Sequence, residues 1–224
     1  EIKQHGYDET ILITQSNRQS QTLSQLIRPA LGINGETIQV NDLLLVTQNN
    51  HISGLMNGDM VKVTQTGKEI QKAGLTFRYI EVEELISKKR YSQYIITNIL
   101  STQGWTNLNQ EQQTHLFIDF FLRMRDIGIS PKKNKEEFHN QMLKDPFLNA
   151  LRAVYGYAVT CHKAQGGEWK EVFLDIPRIL SRQPISKNYQ WLYTAVTRAS
   201  ENLHIADDFY LSAGNSSLNP TYSR

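Results

Sequence analysis

The stretch Tyr157-Ala-Val-Thr-Cys-His-Lys-Ala-Gln-Gly-Gly-Glu-Trp169 decides how the chain is read. Upstream of it, Ala153 to Val159 is apolar and broken only by Gly156. After Val159 the texture turns polar, through Thr160, His162, Lys163 and Gln165, and closes on Gly166-Gly167-Glu168. That pattern predicts a buried strand with a glycine-bearing loop at its carboxyl end. Open α/β sheets take their ligands at that end of their strands. Paired glycines let backbone approach a ligand closely. Hydroxyl, imidazole, ammonium and amide groups can all bond phosphates or base edges, and a carboxylate can accept from a sugar hydroxyl.

Working outward, Val172-Phe-Leu-Asp-Ile176 reads as a second buried strand ended by Pro177. Trp191, Leu192, Ala195, Val196 and Ala199 share one helical face, and Leu203 to Ala206 reads as a last strand. At the other end of the chain, Thr10 to Thr14 predicts a buried parallel strand. Gln15-Ser-Asn-Arg18 follows as a loop, and Leu23, Leu26, Ile27, Ala30 and Leu31 recur at helical spacing. Pro29 is expected to end or kink that helix, and Gly32 to close it.

Two long motifs carry a resemblance. Residues 157–169 look like motif V of superfamily 1 helicases in their RecD-like and Dda-like branch, and Trp191-Leu-Tyr-Thr-Ala-Val-Thr-Arg-Ala199 is similar to that family's motif VI. Asn17-Arg18 stands where motif IV would, on a shorter match. The resemblance implies an α/β fold: a RecA-like parallel sheet with helices on both faces, interrupted by an inserted SH3-like β-barrel and a helical spacer. The expected partition is a first part of the motor domain over 1–34, the barrel over 35–100, the spacer over 101–148, the second part over 149–210 and a flexible tail over 211–224.

The residues between the motifs agree in texture. Short apolar segments such as Ile38 with Val40, Leu43–Val46, Val61 with Val63, and Leu75-Phe77-Tyr79 are divided by turn-formers, and a further strand is expected near Tyr94 to Ile99. In the spacer, Asn109 and Gln112 form a capping-box pattern ahead of the stripe Leu116, Phe117, Phe120, Phe121, Met124, and Gly128 stops it. A second helix is expected from about Asn134 to Pro146, with Glu137 at the capping position. The Lys132, Lys133, Lys135 run reads as a solvated face.

Roles follow from the resemblance alone. Arg198 would be the arginine finger and Arg18 a second cation for the terminal phosphate. Gln165, Gly166 and Gly167 would lie near the phosphates of ATP, and Glu168 would reach the ribose. Thr160, His162 and Lys163 would face single-stranded DNA. The bland alternative for Arg198 and Arg18 is a surface salt bridge. No G-x-x-x-x-G-K-S/T run occurs, and no Asp-Glu pair follows a buried strand. ATP and Mg²⁺ are therefore expected to bind with an N-terminal motor domain of the same protein, and this chain alone to be inactive. Polarity by family analogy is 5′→3′. The second reading is a helicase-like nucleic-acid-binding subunit of an exonuclease complex, which admits exonuclease or repair subunits as partners.

Bulk numbers bound the rest. The 224 residues carry a net charge of +2, so nucleic-acid contact must come from local arrangement. One cysteine suits a reducing compartment, and the expectation is cytoplasmic. Six scattered histidines give no metal-ligand spacing, and no apolar run reaches membrane length. The chain lacks an initiator Met, which suggests that it begins inside a longer protein.

Overall fold

The computed structural model describes residues 6–101, 104–176 and 185–205. Pro177 and the 211–224 tail, both assigned a role from sequence, lie outside the described residues. The chain divides into two compact units, one of residues 1–15 with 160–224 and the other of residues 16–159.

In the smaller unit, β1 (Thr10–Thr14) pairs in parallel with β8 (Trp169–Leu174), and β8 pairs in parallel with β9 (Ala199–Ile205). The sheet order is β7-β1-β8-β9, where β7 (Ala158–Thr160) runs up to the division between the units. Ile11, Ile13, Val172 and Leu174 are buried, as expected of central parallel strands. Helix α5 (Ile185–Val196) buries Ala195 and leaves Tyr193 out. The sequence expected the last strand to begin at Leu203, whereas β9 starts at Ala199, directly behind Arg198.

The larger unit is built on an antiparallel sheet of order β5-β4-β3-β2-β6. Its strands are β2 (Leu43–Val46), β3 (Met60–Lys72), β4 (Leu75–Glu84), β5 (Arg90–Ile96) and β6 (Ala153–Tyr155). Ile38 is buried but lies outside any strand, because Asn41 turns the chain at φ 73°. Buried positions in β4 run Leu75, Phe77, Ile80, Val82: the alternation slips one place beside the register shift between Thr66 and Glu69 of β3, and Tyr79 faces out. A short helix α2 (Asn98–Ser101) follows β5. Helix α3 (Gln110–Asp126) starts on the expected capping box, Asn109 Oδ1 accepting from Gln112 N–H and Gln112 Oε1 from Asn109 N–H. Leu116, Phe120 and Met124 of its stripe are buried, while Phe117 is 44% exposed. Helix α4 (Lys135–Lys144) packs Phe138 on Phe120; its Asn134 makes no side-chain cap, and Glu137 accepts from Gln141 instead.

The apolar run 153–159 is two strands, not one. Gly156 ends β6, and the chain leaves the antiparallel sheet for the parallel one. A Cβ at Gly156 would stand 3.2 Å from the Leu44 carbonyl carbon and the Leu45 nitrogen, so only glycine lets the strands approach this closely. Helix α1 (Asn17–Ala30) keys onto this crossing. Ser24 Oγ donates to Tyr155 O and accepts from Ala158 N–H, satisfying backbone that the broken ladder leaves open. The helix therefore buries Ser20, Gln21, Ser24 and Arg28, and the apolar face predicted for it is not the buried one: Leu26 is 65% exposed. It also runs one residue past Pro29 before Leu31 caps it.

One buried carboxylate in this sheet gives a pH prediction. Glu84, 8% exposed, closes the β4–β5 turn by accepting from the Ile86 and Ser87 backbone N–H groups. Burial pushes its pKa up, but the Ser87 and Ile86 hydrogen bonds and the Lys88 charge outweigh it and hold the acid below its ordinary range. A folded-state pKa below the unfolded value stabilises above the unfolded pKa, and that stability is lost as pH falls through the folded value. Glu84→Gln is expected to cost stability at pH 7 and to flatten the acid limb below the ordinary glutamate range, read by urea midpoints between pH 7 and pH 3. An unchanged acid limb would contradict this.

Candidate functional site

The loop after β7 is a run of tight turns. Lys163 N–H and Ala164 N–H both donate to Thr160 O, Gln165 N–H to His162 O, and Gly167 N–H to Ala164 O. Cys161 N–H reaches back to Thr14 O, which fixes the loop's root against β1. Two small side chains, Cys161 and Ala164, are buried beneath the loop, so its polar residues are turned outward. Burial pushes the Cys161 thiol up, against a smaller opposite pull from the Arg198 charge, so it is no activated nucleophile.

Arg198 lies two residues beyond the end of α5. Its Nη1 donates to Gly167 O at 3.0 Å, its Nε to Thr194 O at 3.1 Å and its Nη2 to Thr197 Oγ1 at 3.1 Å. Its own carbonyl accepts from Trp169 N–H at 2.9 Å. The arginine thus holds both ends of the Gly167–Trp169 turn. Among the described residues, all three partners of the guanidinium are neutral oxygens and none is a carboxylate. The Trp169 indole is laid over Gly167, where a Cβ would stand 2.2 Å from it, so any larger residue would have to displace the indole.

The other predicted residues of the loop are present as free groups. Among the described residues, the side chains of His162, Lys163, Gln165 and Glu168 make no hydrogen bond or ion pair. His162, Gln165, Gly166 and Glu168 are exposed. Lys163 is half-buried, and that burial pushes its ammonium below the ordinary lysine pKa. Thr160 differs from them: it closes β7 and is 8% exposed. Arg18, in the larger unit, sits in the first turn of α1 behind the Ser16 cap, exposed and without a side-chain partner among the described residues. Sequence reading missed the seat of Arg198. The signal was the Thr194-x-x-Thr197-Arg198 spacing, which puts a carbonyl and a hydroxyl under the guanidinium. Among the described residues, no group of three His, Cys, Asp or Glu side chains could hold a metal ion. No described helix is long and apolar enough to cross a membrane.

Residues 155–206, which hold the loop, α5 and Arg198, match the family model of the UvrD-like helicase C-terminal domain. Over those residues the chain is similar to the C-terminal domain of UvrD-like helicases. The chain is also similar in fold to Pif1 helicase from Bacteroides, solved in complex with ADP-AlF3 and ssDNA, at 14% identity and a TM-score of 0.53. That likeness covers 94% of this chain and 43% of the Bacteroides protein. A weaker likeness, TM-score 0.47 at 12% identity, links it to Pif1 helicase from Candida albicans over 88% of this chain and 44% of that one. An uncharacterized protein of Acanthamoeba polyphaga mimivirus is 24% identical over 86% of this chain and 47% of its own length. The chain thus spans about half the length of these relatives. Its parallel sheet and helices are similar to the RecA-like fold of helicase domains.

Proposed function

We propose that this domain is the second half of an ATP-driven, RecD-like DNA motor, with 5′→3′ polarity, and that Arg198 is its arginine finger. The observation that carries the reading is the Arg198 charge. Among the described residues it is matched only by neutral oxygens, next to a loop whose polar side chains are unspent. A guanidinium held in a fixed fork without a counter-ion suits the charge that develops on a transferred phosphoryl group. Gln165, Gly166 and Gly167 would line the phosphates, Glu168 would accept from the ribose, and Arg18 would be the second cation. Thr160, His162 and Lys163 would meet single-stranded DNA, the last two with free donors. Mg²⁺ would come with the N-terminal motor domain and its phosphate loop, and this chain alone would not turn ATP over. We read residues 1–34 and 149–210 as the motor domain, 35–100 as an SH3-like insertion and 101–148 as a spacer, in a protein of the cytoplasm.

Binding of fluorescein-labelled oligo(dT) by this chain tests the DNA side. Lys163→Gln is expected to weaken it about fivefold to tenfold, about 1–1.4 kcal/mol, and to lower the salt dependence. Unchanged affinity in Lys163→Gln, or ATP turnover by this chain alone, would overturn the reading.

A further inference from the structure

Arg152 in the larger unit carries a charge that no described residue neutralises. Its Nη1 donates to Gln48 Oε1 and to Asn107 Oδ1, both at 2.8 Å, and both acceptors are neutral amides. Asn107 Nδ2 donates to the same Gln48 oxygen at 3.0 Å, so the three side chains form one fixed ring. The Nε and Nη2 groups of Arg152 have no partner among the described residues. Four other arginines of this unit are paired, Arg28 with Asp42, Arg78 with Glu69, Arg90 with Glu83 and Arg123 with Asp145, while Arg18 is exposed to solvent. Burial pushes the Arg152 pKa down, with no neighbouring acid to restore it. A desolvated cation of this kind is stabilised by whatever anion reaches it.

Two clefts meet at this ring. One runs from Arg152 along Gln48, Asn49 and His51. The other, about 230 Å³, is walled by Trp105, Asn107, Asn109 and Gln112. Among the described residues, neither is lined by an aspartate or a glutamate. Trp105 is 65% exposed, yet its backbone is fixed, because buried Gln21 donates to Trp105 O and accepts from Gly104 N–H. The indole is therefore a large flat surface presented to solvent on an anchored chain. The wall behind it is equally set, since Asn109 and Gln112 are joined in the α3 capping box.

We propose that this ring and indole form a further nucleotide-contact site, where single-stranded nucleic acid lays a base on Trp105 and a phosphate on the free edge of Arg152. Aromatic stacking accepts any base, and an arginine fork takes phosphate oxygens bidentately. The amides of Asn107 and Gln48 hold the fork in place without competing for its charge. This site rests on the reading of the domain as a binder of single-stranded DNA, and it lies outside the His162–Glu168 loop.

The test uses this chain with oligo(dT) carrying 5-iodouracil, photocrosslinked and mapped by peptide mass, and with thymidine monophosphate as the free nucleotide. Crosslinking is expected at Trp105, and it should persist in Lys163→Gln. Trp105→Ala is expected to weaken oligo(dT) binding about tenfold. Arg152→Gln should do the same and lower the salt slope by about one counterion, with Arg152→Lys falling between. If Arg152→Gln fails to fold, as judged by its thermal melt, the exposed Trp105→Ala still decides the outcome. Binding with crosslinks confined to the His162–Glu168 loop would overturn this site and leave the proposed function standing. Absence of any oligo(dT) binding would overturn both. Binding of thymidine monophosphate without oligo(dT) binding would overturn the single-strand assignment.

Discussion

Under the proposed function, Arg198→Ala, made in this chain joined to the proposed N-terminal motor domain, is expected to lower ATP turnover by about 10³-fold or more, the scale of a lost arginine finger. The physical reason is placement of charge. Three neutral acceptors fix the Arg198 guanidinium without cancelling its charge, so it can stabilise negative charge that builds up at the reacting phosphate. Arg198→Lys should recover little. A lysine ammonium cannot span Gly167 O, Thr194 O and Thr197 Oγ1 in one plane, so both the seat and the fork are lost. The two substitutions also separate chemistry from folding, since Lys keeps the charge and the aliphatic stem. Steady-state hydrolysis with and without oligo(dT) reads the effect, and a loss below about tenfold in Arg198→Ala would contradict the role.

The second large effect is on stability, at Asp42. This carboxylate is fully buried and takes Arg28 Nε at 2.6 Å and Nη2 at 2.9 Å. It also accepts from Gln39 N–H at 2.7 Å and from the Tyr157 hydroxyl at 2.9 Å, which in turn accepts from Leu43 N–H. The Arg28 guanidinium lies 4.8 Å over the Tyr155 ring and donates to Gly35 O and Thr37 O. Burial, with Asp42 nearby, pushes the Tyr155 phenol up to about 12, so it stays neutral and leaves Arg28 without a second anion. Asp42→Ala strands a buried guanidinium and is expected to cost about 3–5 kcal/mol. The double variant Asp42→Leu with Arg28→Met should cost less than the sum of its single changes, because no unpaired charge remains. Urea unfolding of the larger unit, followed by the four variants of this cycle, reads both numbers. A cost under about 1 kcal/mol for Asp42→Ala would show that the pair is not what ties α1 to the sheet.

How far the sequence foretold this depends on the element. Strands β1 and β8 were legible because central parallel strands bury both faces and so read as unbroken apolar runs. The α3 start was legible because a capping box is a local, two-residue signal. The loop after β7 was legible because apolar residues give way to polar ones there, whereas the roles of Arg198 and Gly167 came from the resemblance; the two residues are hydrogen-bonded. Three things were not legible. The α1 face was misjudged because its burial is set by a polar contact, Ser24 against the open backbone at Gly156, which hydrophobic periodicity cannot see. The split of 153–159 into β6 and β7 depends on a pairing with Leu43 to Val46, more than a hundred residues away in sequence. The Arg152 ring is likewise nonlocal, joining Gln48, Asn107 and Arg152 from three separate segments.

The most direct measurement is a crystal structure of this chain joined to the proposed N-terminal motor domain and bound to a transition-state analogue of ATP. The account predicts an Arg198 guanidinium nitrogen within hydrogen-bond distance of the terminal-phosphate mimic, with Gly167 beside it. An Arg198 still bonded only to Gly167 O, Thr194 O and Thr197 Oγ1, with the nucleotide elsewhere, would contradict it.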